Sequence, residues 1–445
     1  MTDVRREPRS STEAPPDAQS PWVQLRSASS HPFIYRKMVR ATDPAARPGD
    51  VVSVYDKAGR FFGRGLFNPR SQIVVRMLTH ADVPIDDAFW RQRLEQAVAL
   101  RRRLNLDENT DAYRLVHAEG DDLPGLIVER YADCLVFEVF SLGMFQRYDR
   151  LAALLGEVLG PPTALDRPKK AGAAWRTVLR ADARIEELEG FRVAPQPRRP
   201  AAPRMASLSE PGGPPPDSSR AEDGPALRGE PERVTIREHG VRYRVDVQQG
   251  QKTGFFCDQR DNRLRLARLC RDATVLDLCC YSGAFSLCAK LLGGAREATG
   301  VDLDEAAVAV ARENANLNQT RVDFVHADLF AYVRQMLSLG RQFDTVVLDP
   351  PKLVTYREEY DEGLRKYHDM NGLALQVVRP GGVLLTCSCS GLVSRDAFVQ
   401  TVWRAARHVR RTVQVFDQSG AGPDHPVMPN CPEAAYLKAL WLRVL

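Results

Sequence analysis

The sequence lacks several features that define other classes of protein. Its 445 residues contain no apolar run long enough to span a membrane, and the early arginines have no apolar segment behind them that would make a secretory signal. The nine cysteines include no CxxC pair and no Cys/His ladder, and their odd number and irregular spacing are not typical of a disulfide framework. We therefore expect a cytoplasmic protein with reduced thiols, no metal ion and no membrane partner.

A large excess of one charge is also missing. The formal net charge is only +5, and the contents of 44% hydrophobic and 27% charged residues are ordinary for a globular protein. The mild basic excess is compatible with a polyanionic partner. A genomic base composition that favours arginine codons would produce the same excess. The length exceeds what one hydrophobic core usually organises, so two or three domains are expected.

Two segments lack any periodic pattern. Residues 1–20 are rich in Ser, Pro, Arg and acidic residues and are predicted to be a disordered tail. Residues 194–232 contain PQPRRPAAPR and EPGGPPPDSS, whose proline density indicates a linker or a surface insertion. The chain is therefore expected to divide at this second segment.

The part before the linker has two patterns. Residues 21–80 contain short alternating apolar runs separated by turn residues, which predicts a small all-β domain. Residues 81–193 combine helical spacing from Asp86 to Leu106, strand candidates in YRLVHAE, GLIVERYA and CLVFEVFS, and a helix from about Tyr148 to Leu159. This second pattern predicts a central α+β domain.

The part after the linker, residues 233–445, alternates strands with helices. The runs VLDLCC, EATGVDL, VDFVHAD, FDTVVLDPP and GGVLLTCSCS are apolar strand candidates, and stretches such as DEAAVAVARENANLN have helical spacing. The alternation predicts an α/β domain with a doubly wound, mostly parallel sheet. Ligands of such sheets bind beyond the carboxyl ends of the strands.

The turn after the first of these strands indicates a cofactor without phosphate. Asp277 lies near the strand end and Gly283 lies in the turn, but Cys279 and Tyr281 stand where the first glycines of the dinucleotide fingerprint GxGxxG would be. A pyrophosphate pressed against this turn is poorly accommodated. S-adenosylmethionine has no phosphate and needs a carboxylate at the end of the next strand for its ribose, so it is the predicted cofactor.

Acidic residues follow three consecutive strands. Asp302 is predicted to bind the ribose and Asp328 to meet the adenine amino group, whereas Asp304 is interpreted as a helix cap. One acidic residue at a strand end is often only a helix cap. Asp277, Asp302 and Asp328 at the ends of three consecutive strands favour a cofactor site. The predicted cofactor contacts are Asp277, Cys279, Tyr281, Ser282, Gly283, Asp302, Leu303, Asp328 and Asp349.

The fourth and fifth strands end in residues suited to a nucleobase. Asp349-Pro350-Pro351 would present carbonyls to a flat ring, and Lys352 stands where enzymes that methylate an exocyclic amine commonly have an aromatic residue. Methylation of cytosine C5 requires a thiolate that adds at C6 and an acid near N3. Cys389 and a protonated Asp349 would meet these needs.

The assignment of the nucleophile has a competitor. A single cysteine is most often a buried structural thiol, and the position of Cys389 beside the Asp-Pro-Pro turn argues against that interpretation. Cys387 is two residues away and faces the same side of a strand. The residues alone leave Cys387 open.

Six motifs are specific as a set: VDVQQGQKTGFFCDQRDNR, LDLCCYSGAFS, FDTVVLDPPKLV, KYHDMNGLA, TCSCSGL and PDHPV. Through them the chain from Trp22 to Leu445 resembles the RlmI-type class I methyltransferases, which modify C5 of cytosine in 23S rRNA. The resemblance implies an N-terminal PUA domain, a central α+β domain and a C-terminal Rossmann-like methyltransferase domain. It also places the nucleophile at Cys389, because the Cys387 position need not be cysteine.

The resemblance implies further contacts. Many RNA cytosine-C5 enzymes of other subfamilies carry a second cysteine after the prolines, whereas Lys352 stands there in this chain. The stretch from Gln251 to Arg263 is similar to a hairpin that either closes over cofactor or RNA backbone or is only a salt-bridged hairpin. The candidate RNA contacts are Pro350, Pro351, Lys352, Lys252, Gln259 and Arg260, with Asp258 beside them, and Arg36, Lys37, Arg64, Asn68 and Arg76 in the PUA-like segment.

We therefore expect a methyltransferase that forms 5-methylcytosine in 23S rRNA, taken as naked RNA or an early assembly intermediate. A guanine-N rRNA methyltransferase on a related scaffold is the alternative within enzymes. A non-catalytic RNA-binding ribosome-assembly factor is the alternative of another class. The modified cytosine and the oligomeric state, a homodimer included, are left open.

Overall fold

The computed structural model describes residues 14–15, 17–163, 174–194, 233–248 and 254–445. Most of the predicted tail at 1–20 and of the linker at 194–232 lies outside the described residues, as does Lys252. No described helix has the length and hydropathy required to cross a membrane, and no disulfide joins the nine cysteines. The limits of the predicted domains stay predictions.

The first unit is a six-stranded sheet of order β2-β6-β5-β4-β1-β3. Its pairs are antiparallel except for β1 and β4, which are parallel. Valines and leucines such as Val23, Leu25, Val52 and Val54 form its core. The all-β prediction is confirmed. The strands are β1 Trp22–Leu25, β2 Phe33–Tyr35, β3 Val39–Thr42, β4 Val51–Tyr55, β5 Phe61–Phe67 and β6 Ile73–Thr79.

The second unit packs helices on a four-stranded sheet of order β10-β9-β8-β7. Asp86 caps the first helix by accepting a hydrogen bond from Phe89 N, and the helix predicted from Tyr148 to Leu159 has those bounds. The strands are β7 Ala112–His117, β8 Leu126–Tyr131, β9 Cys134–Val139 and β10 Arg176–Arg180, and the helices are α1 Asp87–Arg103, α2 Leu142–Gln146, α3 Tyr148–Leu159 and α4 Ala183–Glu189.

A hairpin of β11 Arg233–Glu238 and β12 Val241–Asp246 joins the second and third units. Its buried face, which includes Ile236 and Tyr243, shares one apolar cluster with Val136 of β9 and Leu287 of the third unit. The hairpin predicted from Gln251 to Arg263 is therefore wrong for its described part. Within it, Cys257–Gln259 form a 3-10 turn that leads directly into α5 Arg260–Ala267.

The third unit is a seven-stranded sheet of order β15-β14-β13-β16-β17-β19-β18. Its first five strands are parallel, and β19 is antiparallel to both neighbours. The strand order reverses at β13, where such sheets bind ligands. The strands are β13 Thr274–Leu278, β14 Glu297–Asp302, β15 Asp323–His326, β16 Phe343–Leu348, β17 Val378–Ser388, β18 Val413–Ser419 and β19 Lys438–Val444, and the helices are α6 Ala284–Leu291, α7 Glu305–Leu317, α8 Leu329–Ser338, α9 Tyr360–Val377 and α10 Arg395–His408.

Candidate active site

A cavity of about 800 Å³ lies at the carboxyl ends of the parallel strands. Its volume is within the range of small-molecule sites. The structure brings most of the predicted site residues to its wall. Those residues are Cys279, Tyr281, Ser282, Asp302, Leu303, Asp328, Asp349, Pro350, Pro351, Lys352, Gln259 and Cys389.

The turn after β13 has the backbone of a glycine-rich loop without its glycines. Cys279 and Tyr281 have φ of +62° and +48°, a left-handed conformation that costs a residue with a side chain roughly 1–2 kcal/mol. Two hydrogen bonds hold the turn: Tyr281 N donates to Asp302 Oδ2 at 2.8 Å, and Cys280 N donates to Val301 O at 3.1 Å. The chain thus keeps the loop shape and adds two side chains to the cavity wall.

Two predicted cofactor contacts do not line the cavity. Asp277 is buried and accepts hydrogen bonds from Ser286 N and Oγ at 3.0 and 2.7 Å, which fasten α6 to β13. Burial raises the pKa of Asp277 to about 7. Gly283 has φ of +78°, and a Cβ there would lie 2.5 Å from Cζ of Phe324. Both residues support the turn by contacts with neighbouring elements, and their contact with the cofactor stays a prediction.

Carboxylates dominate the wall at the ends of β14 and β15. Asp302 Oδ1 accepts from Asp304 N at 2.9 Å. Asp304 and Asp328 cap α7 and α8, and both also line the cavity. The prediction of Asp304 as a helix cap is confirmed, and Asp328, whose role as a ligand stays a prediction, is also a cap.

The balance of charge favours a cationic ligand. Five aspartates line the cavity, against the basic residues Lys352 and Arg263. Arg263 is already paired with Glu238 at 2.7 Å. A phosphate would meet repulsion there, whereas the sulfonium and ammonium groups of S-adenosylmethionine would be attracted. Leu303, with 67% of its surface exposed, adds an apolar contact for adenine, so the residues present fit this cofactor.

A chain of hydrogen bonds orients Asp349 on the opposite wall. Trp441 Nε1 donates to Ser419 Oγ at 2.8 Å, and Ser419 Oγ donates to Asn262 Oδ1 at 2.7 Å. Asn262 Nδ2 donates to Gln259 Oε1 at 2.6 Å, so Gln259 Nε2 faces Asp349 Oδ2 and donates to it at 2.9 Å. Gln259, predicted to contact RNA, is buried and instead holds the Asp349 carboxylate.

Arg260 is also not exposed to RNA. Its side chain is buried and forms two hydrogen bonds with the carboxylate of Asp424, at 2.7 and 3.2 Å. Asp424 belongs to the PDHPV motif and further accepts from Arg114 N at 2.9 Å. Arg101 donates to the Asp424 carbonyl at 2.7 Å. The motif therefore ties the central unit to the turn that carries Gln259.

The two cysteines near the end of β17 differ in access. Cys387 is completely buried in an apolar cluster with Trp441 and Phe285, and burial raises the pKa of its thiol well above the ordinary value. Cys389 is only partly buried and lines the cavity. Both pack against the same cluster, as two residues on one side of a strand should, but the cavity reaches only the second.

Ser390 fastens the segment after Cys389 to its neighbours. Its Oγ accepts from Val354 N at 3.1 Å and shares a hydrogen bond with Tyr367 OH at 3.0 Å. Val354 follows the Pro-Pro turn, and Tyr367 belongs to the KYHDMNGLA motif on α9. One serine thus holds the ends of two strands in fixed relation.

The PUA-like candidates have mostly structural contacts. Asn68 and Arg76 are buried and donate to Glu189 Oε2 at 2.7 Å and to Phe140 O at 3.0 Å, which joins the first two units. Arg36 donates to Ser71 O at 3.2 Å and Arg64 pairs with Asp82 at 2.7 Å, whereas Lys37 is exposed. Burial removes Asn68 and Arg76 from the candidates for RNA contact.

Comparison with known proteins gives relatives along most of the chain. A family described as S-adenosylmethionine-dependent methyltransferase matches residues 216–443, and a PUA-like domain family matches residues 26–80. The ribosomal RNA large subunit methyltransferase I of Klebsiella pneumoniae strain 342 is 35% identical over 420 residues, which are 93% of this chain and 94% of the relative. The protein of the same name from Alteromonas mediterranea is 33% identical over 415 residues, covering 92% and 94%.

Two solved structures have the same fold. A methyltransferase in complex with SAH superposes with a TM-score of 0.71 at 19% identity, and a SAM-dependent methyltransferase from Streptococcus mutans superposes with a TM-score of 0.70 at 19% identity. Each comparison covers 95% of this chain and 99% of the other.

Proposed function

The chain belongs to the family of ribosomal RNA large subunit methyltransferase I, and on this premise we propose that it methylates C5 of a cytosine in 23S rRNA, with Cys389 as the nucleophile. It is an S-adenosylmethionine-dependent class I methyltransferase with a PUA-like domain. The observation that carries the proposal is the presence of a cysteine thiol and the Asp349-Pro350-Pro351 turn on the wall of one acidic cavity.

The cofactor half of the cavity would be formed by the ends of β13 to β15. When bound, S-adenosylmethionine supplies a methyl group on a positively charged sulfur. Asp302 would accept hydrogen bonds from the ribose hydroxyls, Leu303 would pack on the adenine, and Asp328 would meet the adenine amino group. The remaining carboxylates would stabilise the positive charge of the ligand.

The base half would carry the nucleophilic chemistry. The Cys389 thiolate forms a bond to C6, the electron pair of the C5–C6 double bond moves to C5, and Asp349 donates a proton at N3. C5 then bonds to the methyl carbon, whose bond to sulfur breaks. Loss of the C5 proton to a base restores the C5–C6 double bond and expels the thiolate from C6, and N3 returns its proton to Asp349. Both Cys389 and Asp349 are then ready for another turnover.

Lys352 distinguishes this reading from the guanine-N alternative. It is exposed and lines the cavity immediately after the prolines, where an aromatic residue would be expected to stack on a base whose exocyclic amine is methylated. A positive side chain there suits a phosphate of the RNA backbone. A guanine-N enzyme would also have no use for a thiol at the position of Cys389.

A matched pair of variants tests the proposal. The substrate is 23S rRNA from a strain in which the gene is deleted, and methylation is read by bisulfite sequencing and by methyl incorporation. Cys389→Ala should lose at least about 10³-fold in rate while it keeps cofactor affinity. Cys387→Ala should keep the rate within about threefold, because its thiol does not reach the cavity.

Two outcomes would contradict the proposal. Full activity of Cys389→Ala would eliminate the covalent mechanism. Unchanged cytosine methylation of 23S rRNA after gene deletion would favour the non-catalytic RNA-binding alternative.

A further inference from the structure

A buried lysine is hydrogen-bonded to the residue that follows the proposed nucleophile. Lys438 begins β19 and is paired with Ser388 of the antiparallel β17. The residue is 3% exposed. Its Nζ donates to Ser390 O at 2.5 Å and to Tyr436 O at 2.8 Å. The ammonium group is therefore held at the carbonyl of the residue that follows Cys389.

This cation is unusual because no ion-pair partner within the described residues balances its buried positive charge. Burial of an ammonium group is costly unless an opposite charge accompanies it, and both hydrogen-bond partners of Lys438 are neutral carbonyls. Within the described ranges, no carboxylate forms an ion pair with it. The charged groups that act on it are Cys389, as a thiolate, and the cations Arg395 and Lys352.

We propose that Lys438 is a positioning residue whose buried charge favours the thiolate form of Cys389 in the free enzyme. The inference rests on the proposed function, because it gives the lysine a role only if Cys389 is the nucleophile. Lys438 is not among the residues that line the cavity, so it acts on the reaction through the cysteine and does not touch the base.

The electrostatic coupling works in both directions. Burial lowers the pKa of Lys438 to about 8, and the Cys389 thiolate raises it in part. At neutral pH the lysine therefore remains mostly protonated. Since the thiolate favours the ammonium form, the ammonium group must favour the thiolate by the same free energy.

Two of the titratable groups that interact with Cys389 are protonated and neutral. Tyr367 on α9 and Cys387 on β17 are coupled to it, and burial raises the pKa of both groups. Asp349, Lys352 and Arg395 lie on the loops and helix around the same strand end. Of this set, Lys438 is the buried cation fixed by two hydrogen bonds next to the cysteine.

The thiolate can be measured without RNA. The rate at which iodoacetamide alkylates Cys389 is followed from pH 5.5 to 9.5 in the full-length Cys387→Ala protein, by mass spectrometry of the peptide that carries Cys389. Lys438→Met removes the charge from a side chain of similar length, and Lys438→Arg keeps the charge. The midpoint should rise by about one pH unit in the Met variant, with alkylation at pH 7 about tenfold slower. The Arg variant should lie nearer to the parent protein.

The proposal has three ways to fail. An unchanged midpoint in Lys438→Met would overturn it, and so would an Arg variant indistinguishable from the Met variant. If Lys438→Met does not fold, the parent protein decides alone, because a Cys389 midpoint at or above the ordinary thiol value of about 8.5 would contradict the proposal. These results do not depend on methylation, so they are distinct from the failure of Cys389→Ala to lose activity.

Discussion

The two halves of the cavity are built in different ways. The cofactor half consists of strand ends, a strained turn and carboxylates that are half-buried or exposed. Its hydrogen bonds join residues that are close to one another in the chain. The base half is held by buried polar side chains from several segments, which reach Asp349 through Gln259 and Cys389 through Ser390. Substitutions in the first half should change binding, and those in the second should change the rate of chemistry.

Among the variants that compare the two halves, the largest effect is expected at Asp302. Asp302→Ala removes the predicted ribose acceptor and leaves Tyr281 N and Asp304 N without their acceptor. Because hydrogen bonds to charged groups contribute about 1.5–3 kcal/mol, S-adenosylmethionine should bind about 100-fold more weakly in calorimetry. Asp304→Ser keeps a helix cap and is the control, with a change below about threefold expected. Equal losses in both variants would contradict the assignment of the ribose to Asp302.

Gly283→Ala should damage the cofactor half through stability. The new Cβ would meet Phe324 at 2.5 Å in a backbone with φ of +78°, so unfolding should require about 2 kcal/mol less free energy in urea titrations. Gly381 also has a positive φ but no atom within 4 Å of an added Cβ. Gly381→Ala should therefore cost less, and equal costs would show that contact with Phe324 is unimportant.

Gln259→Leu separates the halves most clearly. It removes the donor that orients Asp349 and leaves Asn262 its second acceptor, Gly420 O at 3.1 Å. Single-turnover methylation should slow about tenfold, since small misplacements of a reacting group are costly, with cofactor affinity unchanged. A loss of affinity without a loss of rate would contradict the division of the cavity.

The smallest effect is a pH dependence of stability. Asp277 has a folded-state pKa of about 7, above its unfolded value of about 3.9, so the folded state binds more protons between these values. Stability should therefore fall as the pH rises from about 6 to 7, by on the order of 1 kcal/mol. Asp277→Asn should remove this part of the slope in urea titrations. An identical slope in the variant would mean that Asp277 is ionised in the folded protein throughout.

The same contrast explains what the sequence could predict. Local periodicity predicted α3 and the parallel strands of the third sheet, because each is an apolar pattern within one short segment. The same patterns placed Asp302, Asp328 and Cys389 at one edge of the predicted sheet, because parallel strands end at the same edge, and all three line the cavity. The misplaced hairpin had an available signal: Arg233–Asp246 alternates buried and exposed residues around a His239-Gly240 turn with positive φ at both positions.

The rest of the base half could not be predicted from local patterns. Ser419 and Asn262 are 157 residues apart in the chain, and Arg260 meets Asp424 across 164 residues. An arginine or glutamine that is exposed can bind RNA, but one that is buried against a protein partner cannot. The sequence does not reveal such burial when the partner lies far away in the chain. The difference in access between Cys387 and Cys389 likewise depends on where the cavity ends.

Trapping the covalent adduct tests the central claim most directly. The full-length protein is incubated with S-adenosylmethionine and a 23S rRNA fragment in which 5-fluorocytidine replaces cytidine, because fluorine on C5 blocks the final loss of a proton. Tandem mass spectrometry of the digested complex should find the nucleotide on Cys389, in the parent protein and in Cys387→Ala alike. An adduct on Cys387, or no adduct with RNA that is methylated when cytidine is restored, would contradict the assignment of Cys389 as the nucleophile.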